Sequence, residues 1–208
     1  MLTTFKHFHT DVYITNLFSC SKELQPMLKI SVAELERKAL VLLLGECITN
    51  DIISNLYWSN EFEKYILKAD AAENIKRLVN GYTYETDGYK SYPCGCGFSG
   101  GTNCKTKMFP GIIQELILNP NEKVERNYLA YYIYYHWKII NESITASTGE
   151  VLPEVQNSTI VYNKKKRYNA WNRFVDFSQK VNEFVQDHKE DYPNAQLSCL
   201  HRLNIWDI

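Results

Sequence analysis

The sequence has little charge of either sign to spare, no long apolar run, and none of the short motifs that announce a reaction. Lys and Arg number 23 against 24 Asp and Glu, a formal net charge of −1. That excludes a strongly basic nucleic-acid binder and leaves room only for a local basic patch. The longest apolar run is Ala39–Leu40–Val41–Leu42–Leu43–Leu44, far short of the roughly 18 residues a membrane span needs. Residues 1–8 contain Lys6 and His7 but no apolar core of a signal peptide. A chain assembled in a cytosol, without membrane contact, is the expectation. There is no G-x-S-x-G, no G-x-x-x-x-G-K-[ST] and no H-E-x-x-H. Gly97 to Gly101 lacks the helix and Lys that a phosphate loop requires. Nothing supports an enzyme or a cofactor, and a hydrolase built on scattered His and Cys residues is the least supported of the alternatives.

What is abundant is aromatic. The 208 residues include 15 Tyr, 9 Phe and 4 Trp. Tyr offers large contact area at small rotamer cost and keeps a polar tip. Such a composition suits a protein that buries surface against partners as well as against itself. Length and an average apolar content point to one domain, 1–208, with a real core.

The expected organisation is mainly α, a small helical bundle with a projecting β-hairpin or extended arm and a Gly/Cys-rich loop. Residues 1–29 read as an N-terminal arm. The bundle core spans 30–142, with a hairpin and loop inserted at 82–109. A projecting arm follows at 143–163, then a long helix at 164–190 and a tail at 191–208. Within the core, Ser31 and Glu34 have the spacing of a capping box, and Gly45 marks a stop or kink. Ile48, Ile52, Ile53 and Leu56 continue at helical spacing. Residues 60–66 suggest a further turn of helix, and Asp70 is a suitable N-cap for a helix over 71–79 that Asn80–Gly81 ends. Tyr82, Thr83 and Tyr84 alternate as a strand, Asp87–Gly88 turns it, and Tyr89 begins a return strand. A short helix is expected over 112–118, stopped by Asn119–Pro120, and a long aromatic one over 122–142. Leu40, Leu43, Leu44, Ile52, Leu56, Trp137, Trp171 and Phe174 are the expected core.

Three groups of residues could carry function. Cys94, Cys96 and Cys104 are three thiols in one Gly-rich loop. They could ligate zinc with a fourth ligand from Cys20, Cys47, Cys199 or a His, but neither a second Cys pair nor a nearby His completes the closed site. Incidental thiols in a reducing environment are the better explanation, and no metal is expected. A zinc-stabilised binding or inhibitor module that acts by surface occlusion is the alternative reading of the whole chain. Lys164–Lys165–Lys166–Arg167 is the one basic run, placed at the start of a predicted helix where positive charge opposes the dipole. It suits contact with DNA phosphates or with an acidic surface. Ile144, Val151, Leu152, Val155, Ile160 and Val161 give the 143–163 arm more apolar side chains than a free tether carries. An arm of this kind packs on a neighbouring subunit. His7 and His9 share one face of a possible strand, a weak chelate geometry, and His136 reads as a hydrogen-bonded core residue.

One order of features stands out: Ala33–Glu34, Leu44–Gly45 and Ile53–Ser54–Asn55–Leu56, then Asn74–Ile75–Lys76–Arg77–Leu78–Val79–Asn80–Gly81–Tyr82–Thr83–Tyr84 leading to Pro110–Gly111–Ile112–Ile113. The aromatic run Tyr128–Leu129–Ala130–Tyr131–Tyr132–Ile133–Tyr134–Tyr135–His136–Trp137 follows, then Ser147–Thr148–Gly149–Glu150–Val151 and Lys166–Arg167–Tyr168–Asn169–Ala170–Trp171–Asn172. This order resembles the head-to-tail connector (adaptor) proteins of tailed phages, especially ring proteins of phages that infect Bacteroidetes, including the crAss-like group. The Cys94 to Cys104 loop has no counterpart in the resemblance. The resemblance implies a structural virion protein, repeated in a closed and twelve-fold ring around the DNA exit channel. Its partners would be copies of itself, the portal protein on one side and adjacent ring or tail proteins on the other. Double-stranded DNA would pass without sequence-specific binding.

Overall fold

A computed structural model describes residues 1–14, 24–85, 106–119, 122–140, 144–146, 149–151 and 164–204. About half of the described residues are helical, in five α-helices, and the rest of the regular structure is a set of antiparallel two-stranded hairpins. The fold is therefore mixed α/β, and the expectation of a mainly α bundle is corrected.

The first helix, α1 (Leu24–Leu44), starts upstream of Ser31. The capping-box spacing at Ser31 and Glu34 thus lies inside a helix, and Pro26 sits in the first turn, where a missing N–H is tolerated. Val32, Leu35, Ala39, Leu40 and Leu43 recur at helical spacing and are all buried. Gly45, at φ 84°, separates α1 from α2 (Glu46–Ser54), which buries Ile48, Thr49 and Ile52.

The next segment departs from the expected turn of helix. Leu56–Ser59 (β1) pairs with Lys64–Leu67 (β2) as a hairpin. Tyr, Trp and Ile favour a pleated surface, and two runs this short carry no helical period that could compete. α3 (Glu73–Asn80) begins with Ala72 at the N-cap position, in place of Asp70, and ends at Gly81.

The turn expected at Asp87–Gly88 and the return at Tyr89 lie outside the described residues, while Tyr82 to Glu85 form strand β3. It pairs with β4 (Thr106–Phe109), Tyr82 opposite Phe109 and Glu85 opposite Thr106. The pairing joins residues more than twenty positions apart in the chain, a partnership that local sequence does not indicate. Gly81 and Gly111 meet backbone to backbone at the base of this hairpin. A Cβ on Gly111 would come 2.3 Å from the Gly81 nitrogen, and both residues have positive φ, 78° and 89°. The Ile112 N–H donates to the Leu78 carbonyl at 3.0 Å, locking the same junction.

The helix expected over 112–118 is strand β5 (Ile113–Asn119), and the first residues of the expected aromatic helix are strand β6 (Glu122–Asn127). Asn119, read with Pro120 as a helix stop, is the last residue of β5 and pairs with Glu122, while Pro120 lies outside the described residues. The helix proper, α4 (Leu129–Ile140), starts after Asn127, whose side-chain oxygen accepts the Leu129 N–H at 2.9 Å. Ile144–Ala146 (β7) and Gly149–Val151 (β8) pair as a small hairpin.

The last helix, α5 (Lys164–Asp187), runs antiparallel to α4. Tyr128 stacks on Phe177 at 4.2 Å between ring centroids, while Tyr135 meets Trp171 at 5.0 Å. Helices α1, α4 and α5 enclose the core, with Leu40, Leu43, Leu44, Ile52 and Phe174 fully buried. Leu56, Trp137 and Trp171 are half-buried at its margin.

Both described ends pack on this core. Residues 1–14, expected as an arm, form two short 3-10 turns that bury Leu2, Phe8 and Val12. The Leu2 and Thr3 N–H groups donate to the buried Glu36 carboxylate at 2.8 and 2.6 Å. The C-terminal tail lies along α5, where the Trp171 indole donates to the His201 carbonyl and Asn172 exchanges hydrogen bonds with Leu203.

Candidate functional site

Among the described residues, those singled out from sequence do not converge on one place. Cys94, Cys96 and Cys104 lie outside the described residues, as do Leu152, Val155, Ile160 and Val161. Ile144 and Val151 are register partners in the β7–β8 ladder. Lys164 to Arg167 form the first turn of α5, where Lys165 and Lys166 are exposed. Among the described residues no group of three or more His, Cys, Asp or Glu side chains could hold a metal ion. No described helix is long and apolar enough to cross a membrane.

His7 and His9 are not arranged as a chelate. His7 is buried, and its Nδ1 accepts the Thr4 N–H at 2.9 Å. Its Nε2 faces Glu125 at 3.6 Å, while His9 Nε2 approaches the Glu125 backbone carbonyl at 3.3 Å. Lys64, from β2, reaches the other oxygen of the same carboxylate. The His7 ring, then Lys64, hold the Glu125 carboxyl at about 2 against the opposing effect of burial. This cluster ties the chain start, the β1–β2 hairpin and β6 together.

A second polar cluster joins β3–β4 to α5. The Lys107 ammonium contacts Glu183 at 2.6 Å and Asp187 at 3.1 Å, and the Tyr84 hydroxyl donates to Asp187 at 3.1 Å. Burial first, and the neighbouring Asp187 next, push the Tyr84 hydroxyl far above its usual range. A phenol so held stays protonated and serves as a tie. His136 sits among Tyr132, Tyr135 and Trp171, and burial, then Lys38, lower its affinity for a proton.

An open groove of about 580 Å³ runs beside α1, lined by Glu34, Arg37, Lys38, Leu42, Glu46 and Tyr132 among others. Its Arg37 is occupied by Glu46 and by the Asn50 side chain.

The feature that sequence reading missed is the β1–β2 hairpin. Its large side chains point outward: Tyr57 is 44%, Trp58 50%, Phe62 52% and Tyr65 37% exposed. Trp58 and Tyr65 are cross-strand partners in edge-to-face contact at 5.3 Å, and the Trp58 indole donates to Asn60 at 2.9 Å. Four aromatic residues within nine positions are visible in the sequence, but the sequence reading places only Phe62 and Tyr65, in a further turn of helix over 60–66. The hairpin is held to the body from its inner side, by Lys64 on Glu125 and by Lys68, which donates to the Ser54 carbonyl at 2.9 Å. It is an anchored element carrying apolar surface.

Comparison of the chain with known protein families, with curated proteins and with solved structures finds no match to any of them.

Proposed function

We propose that this chain is a structural ring subunit of the connector between the portal and the tail of a tailed phage, and that it acts by making contacts and not by catalysing a reaction. The observation that carries this reading is the exposed aromatic hairpin at Tyr57, Trp58, Phe62 and Tyr65. Clustered apolar surface on an anchored element marks an interaction site, and a ring subunit needs lateral surfaces that bury against copies of itself. The order of features shared with connector proteins supplies the biological setting. Two of the segments that carry that likeness, α4 and the start of α5, pack on each other through Tyr132, Tyr135, Trp171 and Phe174. On this reading the protein resides in the neck of the virion, beside the portal, with DNA passing through the ring.

The test is the composition of particles. Mass spectrometry of purified virions from the genome that encodes this chain should find it in multiple copies, and co-expression with that genome's portal protein should yield a complex. DNA-filled, tailed particles that lack the chain would overturn the reading.

A further inference from the structure

The geometry points to a head-to-tail contact between copies of this chain, in which the acidic, aromatic tip of the β1–β2 hairpin docks on the basic first turn of α5 of the next copy. This names the surfaces of the ring contact and so rests on the connector reading, although the contact itself can be tested without a phage.

Position comes first. The hairpin is fastened by Lys64 to Glu125 in β6, the strand that leads into the N-terminus of α4. The basic turn lies at the other end of the helix pair, because α5 runs antiparallel to α4 from Trp171 beside Tyr135 to Phe177 beside Tyr128. From Phe177 back to Lys165 the helix rises roughly 18 Å at 1.5 Å per residue. Because the tip and the basic turn are different surfaces at opposite ends of one body, the contact can repeat from copy to copy, the heterologous arrangement that generates rings when the rotation closes.

Charge comes next. The loop between the two strands is Asn60–Glu61–Phe62–Glu63, with Glu61, Phe62 and Glu63 exposed. Neither carboxylate forms an ion pair among the described residues. Lys165 and Lys166 are likewise exposed and without an ion pair among the described residues. Lys165 and Lys166 stand in the first turn of α5, where the helix dipole disfavours positive charge. Carboxylates from outside relieve that conflict. The surrounding side chains fit as well, since the exposed Trp58, Phe62 and Tyr65 rings offer faces on which ammonium groups rest favourably. A nucleic acid satisfies the lysines alone and leaves Glu61 and Glu63 without a partner, whereas a second copy satisfies both ends.

Charge exchange tests the contact, with association of the full chain followed by sedimentation at low salt. Glu61→Lys with Glu63→Lys should weaken self-association by at least ~10-fold, since it places like charges in opposition. Lys165→Glu with Lys166→Glu should do the same. The variant carrying all four changes should regain association, and added salt should weaken both it and the unmodified chain. A photoreactive residue at Phe62 should cross-link to the 164–171 region of another copy. The inference is overturned if the unmodified chain stays monomeric at its highest soluble concentration. It is also overturned if the fourfold variant stays dissociated while folded by circular dichroism, if the cross-link maps elsewhere, or if Lys165 and Lys166 matter only for DNA retention. Charge exchange that behaves as stated, in a chain absent from virions, sinks the connector reading alone. A chain present in virions whose association ignores these charges sinks this contact alone.

Discussion

The α4–α5 seam and the β1–β2 hairpin are built from the same kinds of side chain and meet opposite fates. In the seam, Tyr128 stacks on Phe177 and Tyr132 packs at a tilt against Phe174, and Phe174 and Phe177 are fully buried. In the hairpin, Trp58 and Phe62 keep about half of their surface in water. An aromatic residue recurring every three or four positions on a helix meets a second helix along its length. Two short strands bury at most one face, and a two-stranded hairpin alone is marginal in water. Aromatic content therefore says how much contact surface a chain owns, and the element that carries it decides whether that surface is spent inside the molecule or left for another one.

The largest expected effect falls on the seam. Phe174→Ala should destabilise the chain by about 3–5 kcal/mol through the cavity it leaves, read as a lower midpoint in urea denaturation with unchanged slope. A loss below about 1 kcal/mol would mean that the seam is not the core. The junction that orders the β3–β4 hairpin comes next. Gly111→Ala puts a side chain at φ 78° against the Gly81 backbone, where left-handed strain alone costs about 1–3 kcal/mol. Thermal unfolding of the variant should show at least that loss.

The third effect concerns the inner anchor of the hairpin. Glu125 has its carboxyl lowered to about 2 from an ordinary 4.5. A depressed carboxylate stabilises the fold above its unfolded value, and that contribution is lost as pH falls from about 4.5 towards about 2. The side chain is 36% exposed, so water screens the gain and the effect is modest. Glu125→Gln should flatten the acid limb of a stability-against-pH curve; an unchanged limb would place the acid sensitivity elsewhere. The smallest effect on folding belongs to the hairpin tip. Trp58→Ala should cost no more than about 0.5–1.5 kcal/mol, the value of its pair with Tyr65, while lowering self-association. A loss as large as that of Phe174→Ala would make the hairpin part of the core and erase the comparison.

Much of the helical framework was legible. Leu40, Leu43 and Leu44 lie in a strongly apolar run, Gly81 closes α3, and the long stripe from Tyr168 to Val185 predicts α5. The misreadings share a cause. Residues 56–67, 113–119 and 122–127 are short runs in which a few apolar residues fit a helical period as easily as a strand. A strand is decided by its partner, and the partner is not in the local sequence. Ser31 misled for a related reason, since capping spacing also occurs inside helices and the upstream residues of α1 extend the helix past it. The β1–β2 surface was missed because exposure is a property of what surrounds a side chain.

The sequence by itself determined the stock of parts: a balanced charge, an excess of aromatic rings, one basic run, and apolar periods long enough to demand helices. Only the tertiary structure decided the strand partners, the burial of Glu36 and His7, and the placing of an acidic aromatic tip and a basic helix start at opposite ends of one body. Helices close their hydrogen bonds locally and so announce themselves locally. Hairpin registers, ion clusters and exposed faces depend on residues far apart in the chain, and they exist only once the chain has folded.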